Sequence, residues 1–408
     1  MAIIVQKYGG TSVGSLSRIE AVAENIITTV RQGHQVVVVL SAMAGETNRL
    51  LAMARQLDAT PASRELDMLL SSGEQVSISL LAIALVQRGI SAISLLAHQV
   101  GIQTDNRFGA ARIQSIDTKR LTQALSQEQV IVVAGFQGQD VEHNVTTLGR
   151  GGSDTSAVAL AVALKAAEAQ IFTDVDGVYS ADPRIVEKAQ RIASLSFDEM
   201  LVMASLGAKV LQNRAVEYAF RHQMPIRVLS SFSQGEGTLV LPKSQALAES
   251  QSNNPVSSVV HDQQQALICL TDVADNAVSS IFDCLEKANV ELDMVQLVGE
   301  SSLAKQLLFT LNRDKLEYAR NALQEITMFN KFGTIRSRES VAKISAVGIG
   351  LNSHTKVVGK IVALLASAEI DIELISTSEI SCSVVIDETN LVQAAQILHS
   401  GFGLDSSN

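Results

Sequence analysis

Residues Ile3–Ser15 read IIVQKYGGTSVGS. An apolar run ends in a lysine, two adjacent glycines and a set of hydroxyl residues, and an amphipathic stretch follows at once. In LSRIEAVAENIITTVR, Leu16–Arg31, the residues Ile19, Val22, Ala23, Ile26, Ile27 and Val30 recur at helical spacing, which gives a helix with one buried face. Strand, glycine turn and helix make the opening unit of an α/β domain. The turn has two readings at this point. It is an ordinary glycine-rich turn, or it is a phosphate cradle, since Gly9 and Gly10 let bare N–H groups approach an anion and Lys7 adds a compact cation. The positive end of the helix would reinforce the cradle. It is not a Walker motif, because GxxxxGK[ST] occurs nowhere in the chain.

Working outward, the same alternation continues to about residue 240. VVVVL (Val36–Leu40), VIVVAGF (Val130–Phe136), IFTDV (Ile171–Val175) and IRVLS (Ile226–Ser230) are further strand candidates. Several are apolar on consecutive residues, which marks strands covered on both faces, as in a parallel sheet. Strands alternating with helices predict a three-layer α/β domain over residues 1–240. The polar stretch Leu241–Pro255, LPKSQALAESQSNNP, reads as a linker. Beyond it lies an internal repeat. Ser279–Val295, SSIFDCLEKANVELDMV, aligns without gaps to Gly359–Ile375, GKIVALLASAEIDIELI. Each copy follows a β-rich run, ALICLTDV or KISAVGIG, and each is a helix leading into a strand. Two copies predict paired small modules, over 256–338 and 339–408.

The 408 residues are 47% hydrophobic and 18% charged, a globular composition long enough for several cores, and the formal net charge is -10. That charge argues against bulk attraction to nucleic acid or an anionic membrane, but leaves room for a small anionic substrate. Cys269, Cys284 and Cys382 have no CxxC spacing and read as buried thiols, and no metal cage is legible in the scattered histidines. No leader pattern and no run of 18 apolar residues is seen, so a cytoplasmic location is expected.

Three more segments carry chemistry. Leu148–Leu164, LGRGGSDTSAVALAVAL, again places glycines before a helix, with Arg150 suited to a bidentate grip on carboxylate or phosphate. Asp154 is an N-cap or a working carboxylate. Phe172–Arg184, FTDVDGVYSADPR, leaves a strand into an acidic loop, and the EF-hand spacing and closing glutamate are absent. Tyr179 suits stacking on a purine and Arg184 suits phosphate. Finally, Ser41 and Thr47 lie in LSAMAGETN, and Glu74 lies in LLSSGEQ.

KYGGTSVG, SAMAGETN, SSGEQ, TTLGRGGSDTSAVALA, TDVDGVYSADPR and GAKVLQNRAVEYA, in this order and spacing, closely resemble the aspartate kinases. The resemblance covers essentially the whole chain and is to the monofunctional type. It implies a three-layer αβα sandwich with a mainly parallel sheet, the amino-acid kinase fold, followed by two ferredoxin-like βαββαβ ACT domains. It implies transfer of phosphate from ATP, with Mg2+, to the side-chain carboxylate of L-aspartate. Lys7 and Asp154 would be catalytic, with Asp154 orienting Lys7. Ser41, Thr47, Glu74, Arg150, Gly151, Gly152 and Ser153 would bind aspartate, Arg150 at the α-carboxylate and Glu74 at the α-ammonium. Lys7, Tyr8, Gly9, Gly10, Thr173, Asp174, Tyr179, Arg184 and Lys209 would hold ATP. Lysine, threonine or both would act as effectors near Asp275, Gln296, Asp371, Ile372 and Ser378, in ACT domains paired across a homodimer or higher oligomer.

Two effector loops depart from the family pattern. The first, commonly Asp-x-Pro-Gly, reads DVADNAV at Asp272–Val278, and the second reads SHTKV at Ser353–Val357, without the usual glycine. Altered or weakened feedback inhibition is the expectation. Other functions fit less well. Arg150 and Glu74 together favour a zwitterionic amino acid over an N-acetylated acid. A non-catalytic regulatory subunit would lack Lys7, Glu74 or Asp154. A nicotinamide dehydrogenase would carry GxGxxG followed by an acidic residue in a βαβ unit.

Overall fold

The computed structural model describes residues 2–208, 210–249, 254–299, 305–327, 332–351 and 355–405. The chain divides into two compact units, one drawn from Met1–Val178, Arg191–Ser205 and Lys209–Ser252, the other from Tyr179–Gln190, Leu206–Ala208 and Asn253–Asn408.

In the first unit β1 (Ile3–Tyr8) leads through a short 3-10 turn, Gly10–Val13, into α1 (Leu16–Arg31). Ser15 caps that helix, its side chain accepting from Arg18 N. There follow β2 (Gln35–Leu40), α2 (Glu46–Leu57), α3 (Ser63–Leu70), α4 (Ser72–Gln87), β3 (Ala92–Leu95), β4 (Ile102–Thr104), β5 (Ile113–Ile116), α5 (Lys119–Ser126), β6 (Val130–Ala134), β7 (Gln137–Gln139) and β8 (Val145–Thr147). The unit is completed by α6 (Gly152–Leu164), β9 (Glu168–Thr173), β10 (Ser194–Ser196), α7 (Phe197–Ser205), α8 (Asn213–His222), β11 (Ile226–Ser230), β12 (Thr238–Leu241) and α9 (Lys243–Glu249). The last helix lies inside the stretch expected to be a linker, where Lys, Gln, Ala, Leu and Glu are good helix formers.

Eight strands form one sheet in the order β10-β12-β11-β9-β1-β2-β6-β3. Every neighbouring pair is parallel except β11 with β12. Consecutive valines in β2 serve both faces. Val36, Val38 and Leu40 join Ile19, Val22 and Ile26 of α1 and Ile78, Leu81 and Leu85 of α4 in one core. Val37 and Val39 are equally buried on the opposite side, where α6 packs on the sheet. Each such side chain contributes roughly 1.5–3 kcal/mol when fully buried. Ser63–Gln87 is apolar and long enough to cross a membrane by length and composition; Ile78, Leu81 and Leu85 are buried against the sheet, whereas Val76, Ile83 and Val86 are exposed. A smaller sheet, β5-β4-β7-β8, adjoins the large one.

The second unit contains β13 (Ser258–Val273), α10 (Val278–Lys287), β14 (Leu292–Val298), β15 (Lys305–Asn312), α11 (Leu316–Thr327), β16 (Ile335–Val347), α12 (Thr355–Ser367), β17 (Leu374–Thr377), β18 (Ser381–Asp387) and α13 (Leu391–Gly401). Its six strands form one antiparallel sheet, β14-β15-β13-β16-β18-β17. The sequence repeat is a structural one. Ile281 and Leu285 of α10 match Ile361 and Leu365 of α12, all buried. Asn289 and Glu369, at equivalent places after the helices, adopt left-handed φ of 55° and 57°. The two modules share their long strands. Leu267–Leu270 pairs with Ile335–Arg338 in the first module, whereas Ser258–Asp262 pairs with Lys343–Val347 in the second. The second module therefore takes its outer strand from residues that precede the first module in the chain.

Ala181 and Val186, within Tyr179–Gln190, lie in the core of the second module, so this part of the acidic loop belongs to the second unit. Of the three cysteines, all free, Cys382 is buried while Cys269 and Cys284 are only half-buried.

Candidate active site

The parallel strands β1, β2, β6 and β9 all end on the same edge of the sheet, where loops in such folds gather ligands. Lys7, near the end of β1, lies beside Val39 of β2 and Ile171 of β9. Its Nζ is 2.7 Å from Asp154 Oδ1, and the two side chains are 12% and 9% exposed. The cap of α6 is Gly151, with φ 71°, and Asp154 stands in the first turn. Asp154 is therefore a partner of Lys7, not the helix cap. A Cβ on Gly9 would stand 3.3 Å from Lys7 Nζ, so the ammonium lies over bare backbone. A Cβ on Gly10 would meet Ala42 O at 2.9 Å, so this glycine is required for the loops after β1 and β2 to touch.

Ala42 is the hub of the second group. Its N–H donates to Glu74 Oε1 at 2.9 Å, and a Cβ on Gly73 would fall 2.8 Å from its own Cβ. Glu74, in the first turn of α4, is 3% exposed, and among the described residues its Oε2 has no hydrogen-bond partner. Burial pushes its carboxyl up from 4.5 to about 7, against the hydrogen bond from Ala42. Ser41 N donates to Tyr8 O at 3.2 Å, and Ser77 Oγ donates to Ser41 O at 2.8 Å. Thr47 is half-buried in the first turn of α2.

Arg150 stands between Gly149 and Gly151, whose φ values of 78° and 71° favour glycine. It lines a cavity of about 350 Å³ with Gly109, Gln212 and Arg214. Arg214 donates to Leu148 O at 3.0 Å. Ser153 is buried at the start of α6, where a Cβ on Gly135 would stand 2.9 Å from its Cβ and its Oγ. Gly152 is packed against Leu148 and Phe136.

The residues expected around ATP are less uniformly placed. Tyr8 is fully buried and stacked on Phe172 with centroids 4.5 Å apart, and its hydroxyl accepts from Asn25. Its alternate-residue position on β1 points the ring into the core under α1, so only its backbone is left for a nucleotide. Thr173 Oγ1 donates to Asp174 Oδ1 at 3.0 Å at the end of β9. Tyr179 and Arg184 belong to the second unit, where Arg184 forks onto Asp182, with Nη2 to Oδ2 at 2.6 Å. Lys209 lies outside the described residues. Several contacts were not legible in sequence. Ser12 Oγ donates to Ser231 Oγ at 2.8 Å, and Arg18 stacks 4.0 Å above the Phe232 ring, tying the loop after β1 to that after β11. Asp67 is a further buried carboxylate, 1% exposed. No pattern singles these residues out, because their partners are far away in sequence. Among the described residues no group of three or more His, Cys, Asp or Glu is placed to hold a metal ion.

In the second unit Asp275 pairs with Lys305, and Gln296 donates to Ile375 O at 2.7 Å, joining the outermost strands β14 and β17. Asp371 is exposed, Ile372 packs partly against the second module's core, and Ser378 Oγ accepts from Ser381 N at 3.0 Å in the β17–β18 turn. Ser353 lies outside the described residues.

The sequence pattern of the amino acid kinase family matches residues 2–230, and that of an ACT domain matches residues 344–402. Aspartate kinase Ask_LysC of Stutzerimonas stutzeri strain A1501 is 46% identical over 408 residues, spanning 100% of this chain and 98% of that protein. The crystal structure of E. coli aspartokinase III in complex with aspartate and ADP superposes with a TM-score of 0.77 at 25% identity, covering 98% of this chain and 99% of the other. The same enzyme in complex with lysine and aspartate gives a TM-score of 0.80 at 25% identity, with the same coverage.

Proposed function

We infer how this site works from the family it serves: the chain belongs to the aspartate kinases of the amino acid kinase family and carries an ACT domain. It phosphorylates the side-chain carboxylate of L-aspartate with ATP, giving 4-phospho-L-aspartate and ADP, a first step toward lysine, threonine and methionine.

The acceptor carboxylate, with a pKa of about 3.9, is already ionised at neutral pH and needs no general base. The obstacle is bringing an anion to a polyanionic triphosphate, so catalysis is positioning and charge neutralisation. Lys7 meets the transferring phosphoryl group, and Asp154 fixes the ammonium in place. Gly9 leaves the backbone beside it open to phosphate oxygens. Thr173, Asp174, Tyr179, Arg184 and Lys209 complete the nucleotide contacts in this reading. Magnesium arrives with the triphosphate as part of the substrate, since this ion is usually bound through phosphates and few protein ligands.

The observation that carries the substrate assignment is the free Oε2 of Glu74. A buried carboxylate with one oxygen satisfied and the other bare calls for a cation, and the α-ammonium of aspartate supplies one. Arg150 then takes the α-carboxylate, and Ser41, Thr47, Gly151, Gly152 and Ser153 shape the pocket. Succinate lacks that ammonium, and N-acetyl-L-aspartate masks it. An ADP-release assay over these acids together with L-glutamate and L-aspartate should show turnover with L-aspartate alone. Comparable kcat/KM for the N-acetylated acid would overturn the assignment of Glu74.

The ACT modules are read as the regulatory part. Lysine, threonine or both act on them as feedback effectors, at the loops bearing Asp275 and Gln296 and those bearing Asp371, Ile372 and Ser378. A homodimer or higher oligomer forms through these modules, and the enzyme works in the cytoplasm.

A further inference from the structure

Asp67 lies on α3 with its carboxylate 1% exposed, and among the described residues no cation pairs with it. It accepts three hydrogen bonds instead. Thr147 N and Gly109 N donate to Oδ2 at 2.7 and 2.9 Å, and Thr147 Oγ1 donates to Oδ1 at 2.8 Å. Thr147 closes β8, three residues before Arg150, and its carbonyl accepts from Ala111 N at 2.9 Å. Gly109 O presses on Gly149, where a Cβ would come within 2.8 Å. Gly109, Gly149 and Arg150 line the same cavity. One carboxylate thus ties together the two loops that carry Arg150 and the wall facing it.

The same helical run holds Glu74. Asp67, Ser71 and Glu74 follow spacings of four and three, and all are buried. Ser71 O accepts from Gln137 Nε2 of β7 at 3.0 Å, one turn beyond Asp67. The face that grips β7 and β8 therefore continues directly into the residue that grips Ala42. Little side-chain freedom separates these anchors, because each is buried and bonded to backbone.

We propose that Asp67 is a positioning residue for amino-acid recognition, fixing the Arg150 loop relative to Glu74 so that the α-carboxylate and α-ammonium sites stay in one register. The inference rests on the roles given to Arg150 and Glu74 above. Two fixed charge sites flanking one Cα also impose handedness, since D-aspartate cannot reach both with its acceptor carboxylate in place.

The test uses the full-length enzyme with Asp67→Ala, Thr147→Val and Arg150→Ala. Thr147→Val removes one of the three contacts at constant volume and keeps the question answerable if Asp67→Ala fails to fold. Asp67→Ala and Thr147→Val should each raise KM for L-aspartate about tenfold or more and leave KM for ATP within about twofold, as when a hydrogen bond to a charged group stops holding its loop. The ratio of the D-aspartate inhibition constant to the L-aspartate KM should fall in both. A merely structural role would lower the active fraction and so kcat, leaving that ratio alone. Folded variants with unchanged aspartate KM and unchanged chiral ratio would overturn the inference. Arg150→Ala should itself raise aspartate KM. An unchanged value there would overturn the reading beneath, and an effect there with none at Asp67 or Thr147 would overturn only the positioning role.

Discussion

Taken as the ammonium site proposed above, Glu74 bears on both activity and stability through its burial. Its folded pKa of about 7 lies above its ordinary value of 4.5 because burial disfavours the charge. A raised folded pKa gives a contribution that is fully present below pH 4.5 and lost as pH rises through about 7. The lost contribution is about 3 kcal/mol. Glu74→Gln should therefore melt higher than the parent at pH 8, and the advantage should shrink toward pH 5 in calorimetry. A Tm difference independent of pH would contradict this. The parent's kcat/KM for aspartate should fall below about pH 7, since a protonated carboxyl no longer attracts the substrate ammonium, and Glu74→Gln should lose that dependence. Lys7→Ala acts on a different term. Losing one charge-stabilising contact at the transferring phosphoryl costs on the order of 3 kcal/mol, roughly 100-fold in kcat, with little change in aspartate KM. A steady-state assay in which KM moves more than kcat would take Lys7 out of the chemical step. Sequence marked both residues through the glycines beside them. It left Asp154 between cap and ion-pair partner, because a first-turn aspartate serves either and only the 2.7 Å approach of Lys7 decides. It could not mark Asp67, whose donors are 42 and 80 residues away.

The elements read best where one interaction dominates. β1, α1 and β11 fall where the apolar pattern puts them, because continuous apolar runs and a helical stripe are set by burial alone. The short strands β7, β8 and β10 carry too few residues for a period and depend on neighbours already in place. Tyr179 and Arg184, expected at the nucleotide, lie in the excursion Tyr179–Gln190, which from Ser180 onward is bonded to the end of α13. His399, fully buried, has Nε2 2.8 Å from Ser180 Oγ and Nδ1 2.9 Å from Asp405 Oδ1. Ser180 Oγ also accepts from Gln190 N at 2.9 Å, Ser180 O accepts from Val259 N at 2.7 Å, and Gln396 donates to Ile185 O at 2.9 Å. Serine, histidine and aspartate in line here act as a clasp, since Ser180 is buried at 3% exposure beneath the helix end. Removing the imidazole opens a cavity and takes away one buried hydrogen bond at Ser180, a cost of about 2–4 kcal/mol. For His399→Ala, hydrogen exchange should therefore accelerate about tenfold or more at residues 180–190 and stay unchanged in β1 and β2. Uniform acceleration across the chain would show that the clasp is not local.

At the scale of the molecule, the first unit runs on through α9 to Ser252, past the composition shift near residue 241, and the repeat shows that the second kind of core is built twice. What a linear reading misses is that β13 and β16 run through both modules, so the second module closes only with Ser258–Asp262, a strand from the far side of the first. Regulation belongs at this scale, because the loops expected to take an effector are carried on a sheet common to both modules. The loop Asp272–Val278 replaces the proline and glycine usual in this family, and Asp272 takes a left-handed φ of 53° without being glycine. Asp275 is already paired with Lys305, so an effector ammonium approaching that carboxylate must displace a resident one. Asp275 is 64% exposed, and a pair so open to water is worth no more than about 1 kcal/mol, a factor of about five in effector affinity. The resident pair alone therefore weakens inhibition without abolishing it, and the altered loop must supply the rest. Titrating activity with lysine and threonine, singly and together, should give half-maximal inhibition above about 1 mM, where binding is worth only about 4 kcal/mol. Lys305→Met should lower the effective concentration by up to about fivefold, since it frees Asp275 while keeping the aliphatic stem that packs beside it. Half-maximal inhibition of the parent well below a millimolar would show that this loop binds its effector despite the missing glycine and the resident ammonium, and an unchanged Lys305→Met curve would show that Asp275 does not receive the effector.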